Sequence, residues 1–216
     1  MPSLTKTCGG KVLDAVRSVN TSSADWFLKA DDDTFVIFPR IEIEELVSQF
    51  DSNRPYYLGL HLLHTLQHGK QTEYMSGGAG YILSSSAVRM LQNTQQKECH
   101  YPGTTSYEDV NMGACMEALG VTYADTRDSL GRPVFLPYPP TIFFDPNLAH
   151  HPDYLWLQEK NKYPIQFGTK YLSDQVVSFH QIRNSVDFYL YQYLTQDLRL
   201  HAPRDGTPFS KLEKRH

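Results

Sequence analysis

The chain has 216 residues, 40% of them hydrophobic and 20% charged, a composition that excludes disorder throughout. Its 20 Lys+Arg against 24 Asp+Glu leave a net charge of −4, which excludes the basic excess needed to grip a nucleic-acid backbone or an anionic membrane surface. No apolar run approaches the roughly 18 residues of a membrane span, and the first residues lack the basic-then-apolar order of a secretory leader.

With no internal repeat and no low-complexity linker, the expectation is a single domain over residues 1–216. Trp26-Phe27-Leu28-Lys29 predicts a short strand that stops at Asp31-Asp32-Asp33, and Thr34 to Phe38 resumes as a second strand. Pro39 opens a helix on which Ile43, Leu46, Val47 and Phe50 share one face, ended by Asp51 to Pro55. Tyr56 to Leu60 reads as a strand, whereas His61 to Lys70 is too polar to assign. Gly77-Gly78-Ala79-Gly80 leads into a strand at Tyr81-Ile82-Leu83, and Ser84 to Ser86 cap a helix carrying Val88 and Leu91. Glu108 to Leu119 is a helix with acidic residues in its first turn and Gly120 at its end, after which Val121-Thr122-Tyr123 returns as a strand. Strands alternating with helices predict an α/β sandwich with a largely parallel sheet. Phe135 to Tyr193, rich in aromatics and prolines and weak in periodicity, is expected to wrap over that sheet as loops.

The three cysteines, at 8, 99 and 115, form no CxxC pair, which argues against structural zinc and leaves room for one disulfide and a spare thiol. Asn20-Thr21-Ser22 is the one N-x-S/T glycosylation signal.

Four short blocks could carry chemistry, and each has a plainer reading. Three adjacent carboxylates at a strand end form either an exposed acidic turn or a site for a hard divalent cation that keeps room for phosphate oxygens. The glycines at 77, 78 and 80 serve either a simple turn or bulge, or the close approach of backbone to a ligand. Glu108 and Asp109 are either helix-start carboxylates or a general base on a rigid element, after Pro102 to Thr105. His180, closing Val177-Ser178-Phe179-His180, is either a packed structural imidazole or a metal ligand.

Taken in order, the blocks Trp26 to Val36, Tyr74 to Tyr81, Glu108 to Cys115 and Val177 to His180 resemble the core 1 β1,3-galactosyltransferase family, with the Fringe-type β1,3-glycosyltransferases as more distant relatives. The likeness covers roughly residues 20–125 closely and 130–185 loosely. It implies a GT-A, Rossmann-like α/β fold and inverting transfer of galactose from UDP-galactose to the 3-hydroxyl of N-acetylgalactosamine on Ser or Thr of a glycoprotein. It further implies Mn²⁺ held by Asp31, Asp33 and His180, with Asp33 the direct ligand in preference to Asp31. Asp31 and Asp32 would face the nucleotide, Gly77, Gly78, Ala79 and Gly80 would line the donor pocket, and Asp109 would be the base. No nucleophile on the protein is required, because inversion needs only one base and a cation to neutralise the departing diphosphate.

The same resemblance implies a bridge between Cys99 and Cys115 with Cys8 unpaired, residence on the lumenal side of the Golgi membrane behind an anchor, and an acceptor side built from residues about 130–200; it leaves a homodimer open. Two further readings stand beside it: a non-catalytic, chaperone-like relative, and a β1,3-transferase of another sugar. The chain departs from the family at Lys170-Tyr171-Leu172-Ser173, where adjacent cysteines are expected, and around Phe135 to Thr141, where histidines are expected. Because the first strand-like run is already the one that delivers the acidic block, a catalytic domain lacking the strands on the uridine side, and poorly active on its own, is expected.

Overall fold

The structure, a computed structural model, describes residues 8–37, 41–66, 69–94, 99 and 107–197. In chain order the main elements are α1 (Cys8–Ser18), β1 (Trp26–Lys29), β2 (Phe35–Val36), α2 (Ile41–Ser48), β3 (Tyr56–Gly59), β4 (His61–Thr65), β5 (Gln71–Met75), β6 (Tyr81–Ser84), α3 (Ser85–Asn93), α4 (Glu108–Ala118) and β7 (Thr122–Ala124). They continue with β8 (Phe135–Leu136), α5 (Pro152–Lys160), β9 (Ser178–Phe179) and α6 (Ser185–Gln192), with short 3₁₀ turns between β8 and β9. Phe38, Pro39 and Pro102 to Thr105, on which part of the sequence reading rests, lie outside the described residues.

The central sheet has the order β1-β6-β3-β7. Only β3 and β7 are parallel neighbours; β6 runs antiparallel to both β1 and β3, with Lys29 opposite Tyr81 and Gly59 opposite Tyr81. The α/β class stands, and the largely parallel sheet does not. The reason lies between β3 and β6, where the chain makes the antiparallel hairpin β4-β5 instead of a crossover helix. Without a crossover the next strand comes back in the opposite direction.

Side chains alternate across this sheet as a period of two requires. Tyr57, Tyr81 and Leu83 join one apolar cluster with α3 and α4, against which Val12, Leu13 and Val16 of α1 pack; Leu58 and Ile82 join the other, with residues from the 134–182 region. Ser84 ends β6 and caps α3, accepting a hydrogen bond from the Ala87 amide at 3.2 Å. At the end of α4 the Gly120 amide donates to Glu117 O while Gly120 takes φ +69°, the left-handed conformation that suits glycine. Gly113 lies where α4 crosses β5: a Cβ there would sit 2.3 Å from Glu73 O and 2.5 Å from Tyr74 Cβ.

The polar stretch from His61 is β4. His61 is buried because its Nε2 pairs with Glu73 Oε2 at 2.8 Å on the opposite side of the hairpin and its ring stacks on Tyr123. Glu73 also pairs with Lys162, tying the hairpin to the segment after α5.

The region from Phe135 to Tyr193 is not all loop. β8 and β9 pair in parallel and β9 pairs antiparallel with β2 in a small second sheet, while α5 and α6 are regular helices. Aromatic contacts replace periodicity there: Phe35 stacks on Phe179 at 5.2 Å, and Tyr191 of α6 meets both rings. Asp128, with its side chain only 3% exposed, accepts from the Arg132 amide, Arg132 Nε and Ser173 Oγ, and Arg132 reaches on to Asp174. That cluster fastens the chain beyond β7 to the chain before β9.

Cys99 and Cys115 are disulfide-bonded, with Cα atoms 4.4 Å apart; the side chain of Cys8 lies outside the described residues. No helix among the described residues is long and apolar enough to cross a membrane.

Candidate active site

The acidic block is a tight turn joining β1 to β2. The Thr34 amide donates to Asp31 O at 3.1 Å, and the Asp31 amide donates to Thr34 Oγ1 at 3.1 Å. Thr34 Oγ1 donates in turn to Gly78 O at 2.7 Å, so the turn is hydrogen-bonded to the glycine loop. Because β2 pairs with β9, the residue that follows β9 comes up beside the turn. His180 Nε2 stands 2.9 Å from Asp33 Oδ1, and the Ile182 amide donates to Asp33 O at 2.9 Å. Between them Gln181 has φ +65°, a left-handed conformation that costs a non-glycine residue on the order of 1–3 kcal/mol and bends the chain back toward the acidic turn.

Asp31, Asp33 and His180 each offer a ligand atom, and these atoms lie within 4.8 Å of one another. Two carboxylates and one imidazole suit a divalent cation such as Mn²⁺ or Mg²⁺ and leave coordination positions for other oxygens. The residues therefore fit the ion that the resemblance implied. Asp32 is exposed and is not one of the three.

The glycine loop is a turn between β5 and β6, closed by the Gly80 amide on Gly77 O at 3.1 Å, with Gly80 at φ +82°. A side chain is excluded at Gly78 and crowded at Gly77. A Cβ on Gly78 would lie 2.2 Å from His180 Nδ1, and one on Gly77 would lie 3.1 Å from Asp109 Cβ. Ala79 is buried, and its carbonyl accepts from Ser178 Oγ. The turn and the close approach are thus one feature, and what approaches is the protein's own histidine and carboxylate.

Asp109 sits in the first turn of α4. Tyr107, the residue at the N-cap, makes no side-chain cap bond. Asp109 Oδ1 accepts from the Val110 amide at 2.9 Å and Oδ2 from the Gly77 amide at 2.9 Å. One oxygen serves its own helix and the other holds the glycine loop, so the carboxylate is fixed in direction from both sides.

Two more residues complete the arrangement, one that the sequence left without a role and one that it paired with Asp109. Lys29, read only as the end of a strand, places Nζ 2.6 Å from Asp31 Oδ1, 3.1 Å from Gly77 O and 3.5 Å from Glu108 Oε2. Glu108, read as one of two helix-start acids, turns inward: its side chain is 9% exposed, and Tyr81 OH donates to Oε1 at 2.9 Å. Burial pushes the Glu108 carboxyl above its ordinary pKa against the pull of Lys29 and Tyr81. Burial likewise drives the Tyr81 hydroxyl up, next to Glu108. For Lys29 burial acts downward, but Glu108 and Asp31 outweigh it and hold the ammonium above its usual value. A lysine closing a strand is a common pattern, and nothing local distinguishes this one; its place opposite Tyr81 emerges only from the strand register.

A family model described as Fringe-like matches residues 4–128. Over 182 residues the chain is 35% identical to the Xenopus laevis glycoprotein-N-acetylgalactosamine 3-beta-galactosyltransferase 1, a match covering 84% of this chain and 48% of that protein. It is 28% identical over 177 residues to the Homo sapiens beta-1,3-glucosyltransferase, covering 81% of this chain and 28% of the relative. Over 104 residues it is 32% identical to the Mus musculus chondroitin sulfate synthase 3, covering 45% of this chain and 11% of the relative. The chain spans about half the length of the first of these relatives and less of the others.

Proposed function

From the premise that the chain belongs to the Fringe-like family and carries its GT-A-like α/β domain, we propose that it serves an inverting β1,3-galactosyl transfer from UDP-galactose to N-acetylgalactosamine on Ser or Thr of glycoproteins. The observation that carries this reading is the junction of three sequence-distant blocks: Asp31, Asp33 and His180 converge on one point, while Asp109 is hydrogen-bonded to the loop that abuts His180. The likeness to a galactosyltransferase with this acceptor in its name supports the choice of sugar.

In this reaction the bond from galactose C1 to the diphosphate oxygen breaks, its electron pair leaves with UDP, and a bond forms from C1 to the acceptor 3-oxygen on the opposite face. The acceptor proton passes to Asp109, whose two backbone donors leave lone pairs on both oxygens and keep the carboxylate from turning away. Asp31, Asp33 and His180 would hold Mn²⁺, which supplies positive charge to the departing diphosphate. The absence of side chains at Gly77 and Gly78 lets His180 and Asp109 pack against the loop and so brings the cation ligands and the base to one place. The Cys99–Cys115 bridge supports work in an oxidising lumen such as the Golgi.

The test is direct. The protein is incubated with UDP-galactose, a GalNAc-bearing peptide and Mn²⁺, and disaccharide product is read by mass spectrometry, alongside Asp33→Ala and His180→Ala variants titrated with UDP and Mn²⁺ by calorimetry. A low yield of product in the wild type, in keeping with the weak activity expected of this chain on its own, with UDP binding lost in both variants, is the expected result; UDP affinity unchanged in both variants ends the metal assignment. Because one relative is a glucosyltransferase, UDP-glucose is the second donor to run.

A further inference from the structure

We propose that Lys29 makes cation loading conditional on nucleotide: its ammonium occupies the Asp31 carboxylate and opposes a divalent ion there until a diphosphate brings the charge that balances both. The inference rests on the metal and nucleotide reading above and adds to it a reason for the two ligands to bind as a pair.

The geometry is specific. An ammonium has three protons and no acceptor, and Lys29 Nζ faces three oxygens: Asp31 Oδ1 at 2.6 Å, Gly77 O at 3.1 Å and Glu108 Oε2 at 3.5 Å. These come from the acidic turn, the glycine loop and the base-bearing helix. The lysine side chain is only 17% exposed and Glu108 9%, so water and salt screen the ammonium weakly on that side, while Asp31, 42% exposed, faces outward where an ion can reach it. Among the described residues Arg183 is a second cation at the site, with Nε 3.7 Å from Asp33 Oδ2, but it is 71% exposed and correspondingly screened. A carboxylate that already neutralises a neighbouring ammonium is a poor partner for a doubly charged ion. A nucleoside diphosphate adds two or three negative charges at the same place and removes the conflict.

A purely structural lysine would give the opposite sign. If Lys29 only braced the glycine loop, removing it would weaken Mn²⁺ and UDP alike. If it opposes the ion, removing its charge strengthens Mn²⁺ binding in the absence of nucleotide. Lys29→Met alone would leave Glu108 buried with Tyr81 as its remaining partner, so the informative variant is Lys29→Met/Glu108→Gln, in which the glutamine can still accept from Tyr81. Lys29→Gln, whose amide has two protons to donate to Gly77 O and to Glu108, is the second neutral variant, and Lys29→Arg keeps the charge.

Free Mn²⁺ is counted by electron paramagnetic resonance in titrations with and without saturating UDP, with circular dichroism to verify folding. In the wild type, UDP should tighten Mn²⁺ binding within the roughly 5–150-fold range of coupled sites. Either neutral variant should bind Mn²⁺ about tenfold more tightly without UDP and show a UDP effect smaller by the same factor, while Lys29→Arg keeps the wild-type coupling. Mn²⁺ affinity without UDP that is equal or weaker in the folded neutral variants overturns the proposal while leaving the metal site standing. A wild type that binds no Mn²⁺ even with UDP overturns the metal-dependent reading and this proposal together.

Discussion

Gly78 and His180 compete for one volume: a Cβ on Gly78 would lie 2.2 Å from the imidazole Cε1 and Nδ1. Contacts that short do not occur, so the ring would have to leave its place beside Asp33. Gly78→Ala should therefore weaken Mn²⁺ binding in the presence of UDP by at least about tenfold, an effect of one ligand displaced. The melting transition should stay cooperative, because the imidazole has room to move toward solvent from a site that is only half-buried. Titration of the variant at wild-type affinity would remove His180 from the ligand set.

Asp109→Asn should lower transfer to the acceptor by at least about 10²-fold while UDP binding persists, since a positioned general base contributes on that scale. An asparagine can still accept from the Gly77 amide, so the loop stays in place and the loss is chemical. If Asp109 only closes the helix start, asparagine serves nearly as well and turnover survives. Steady-state rates with saturating donor decide between the two.

Acid should loosen the fold through Asp128. Burial pushes its carboxyl up, but donors from Arg132, Ser173 and Leu130 outweigh burial and hold it below the ordinary carboxylate value. A carboxyl depressed in the folded state contributes stability above its unfolded pKa, near 4, and loses it as pH falls through the lower folded value. Melting temperatures between pH 6 and pH 3 should fall more steeply in the wild type than in Asp128→Asn, whose curve starts lower. Parallel curves would locate the acid sensitivity elsewhere, with Glu73 beside Lys162 the next carboxyl to examine.

Peptide mapping without reduction should recover Cys99 linked to Cys115. Closing a loop of about 15 residues stabilises by roughly 3 kcal/mol, so reduction should lower the melting temperature by about 6–12 °C for a domain of this size. Two freely alkylated cysteines in protein recovered from an oxidising compartment would contradict the bridge.

Much of the site was legible because its residues stand at element ends, where composition changes abruptly. Three aspartates after an apolar run, small residues before Tyr81 and acids at a helix start each mark a strand or helix terminus whatever the tertiary fold. Strand direction was not legible, since Tyr81 to Ser84 has the same pattern of side chains whichever way it runs. β4 was hidden because His61 is buried by a partner, Glu73, twelve residues away, a relation that hydropathy does not register. The region after Phe135 was read as loops because its order comes from ring contacts such as Phe143 on Tyr171, which have no sequence period. Lys29 escaped for the same reason as His61: its partners at Gly77 and Glu108 are remote in sequence.

Gly113 turns α4 into a lever. The helix rests on β5 at the one position where it carries no side chain, and Asp109 projects one turn beyond that contact. A side chain added there meets the backbone of Glu73 and Tyr74, so helix or strand must shift, and Asp109 is expected to move relative to the Gly77 amide. A substitution that touches neither cation, nucleotide nor acceptor would then register as damage to the chemistry, so inactive variants at this position report on leverage and not on a missing catalytic group.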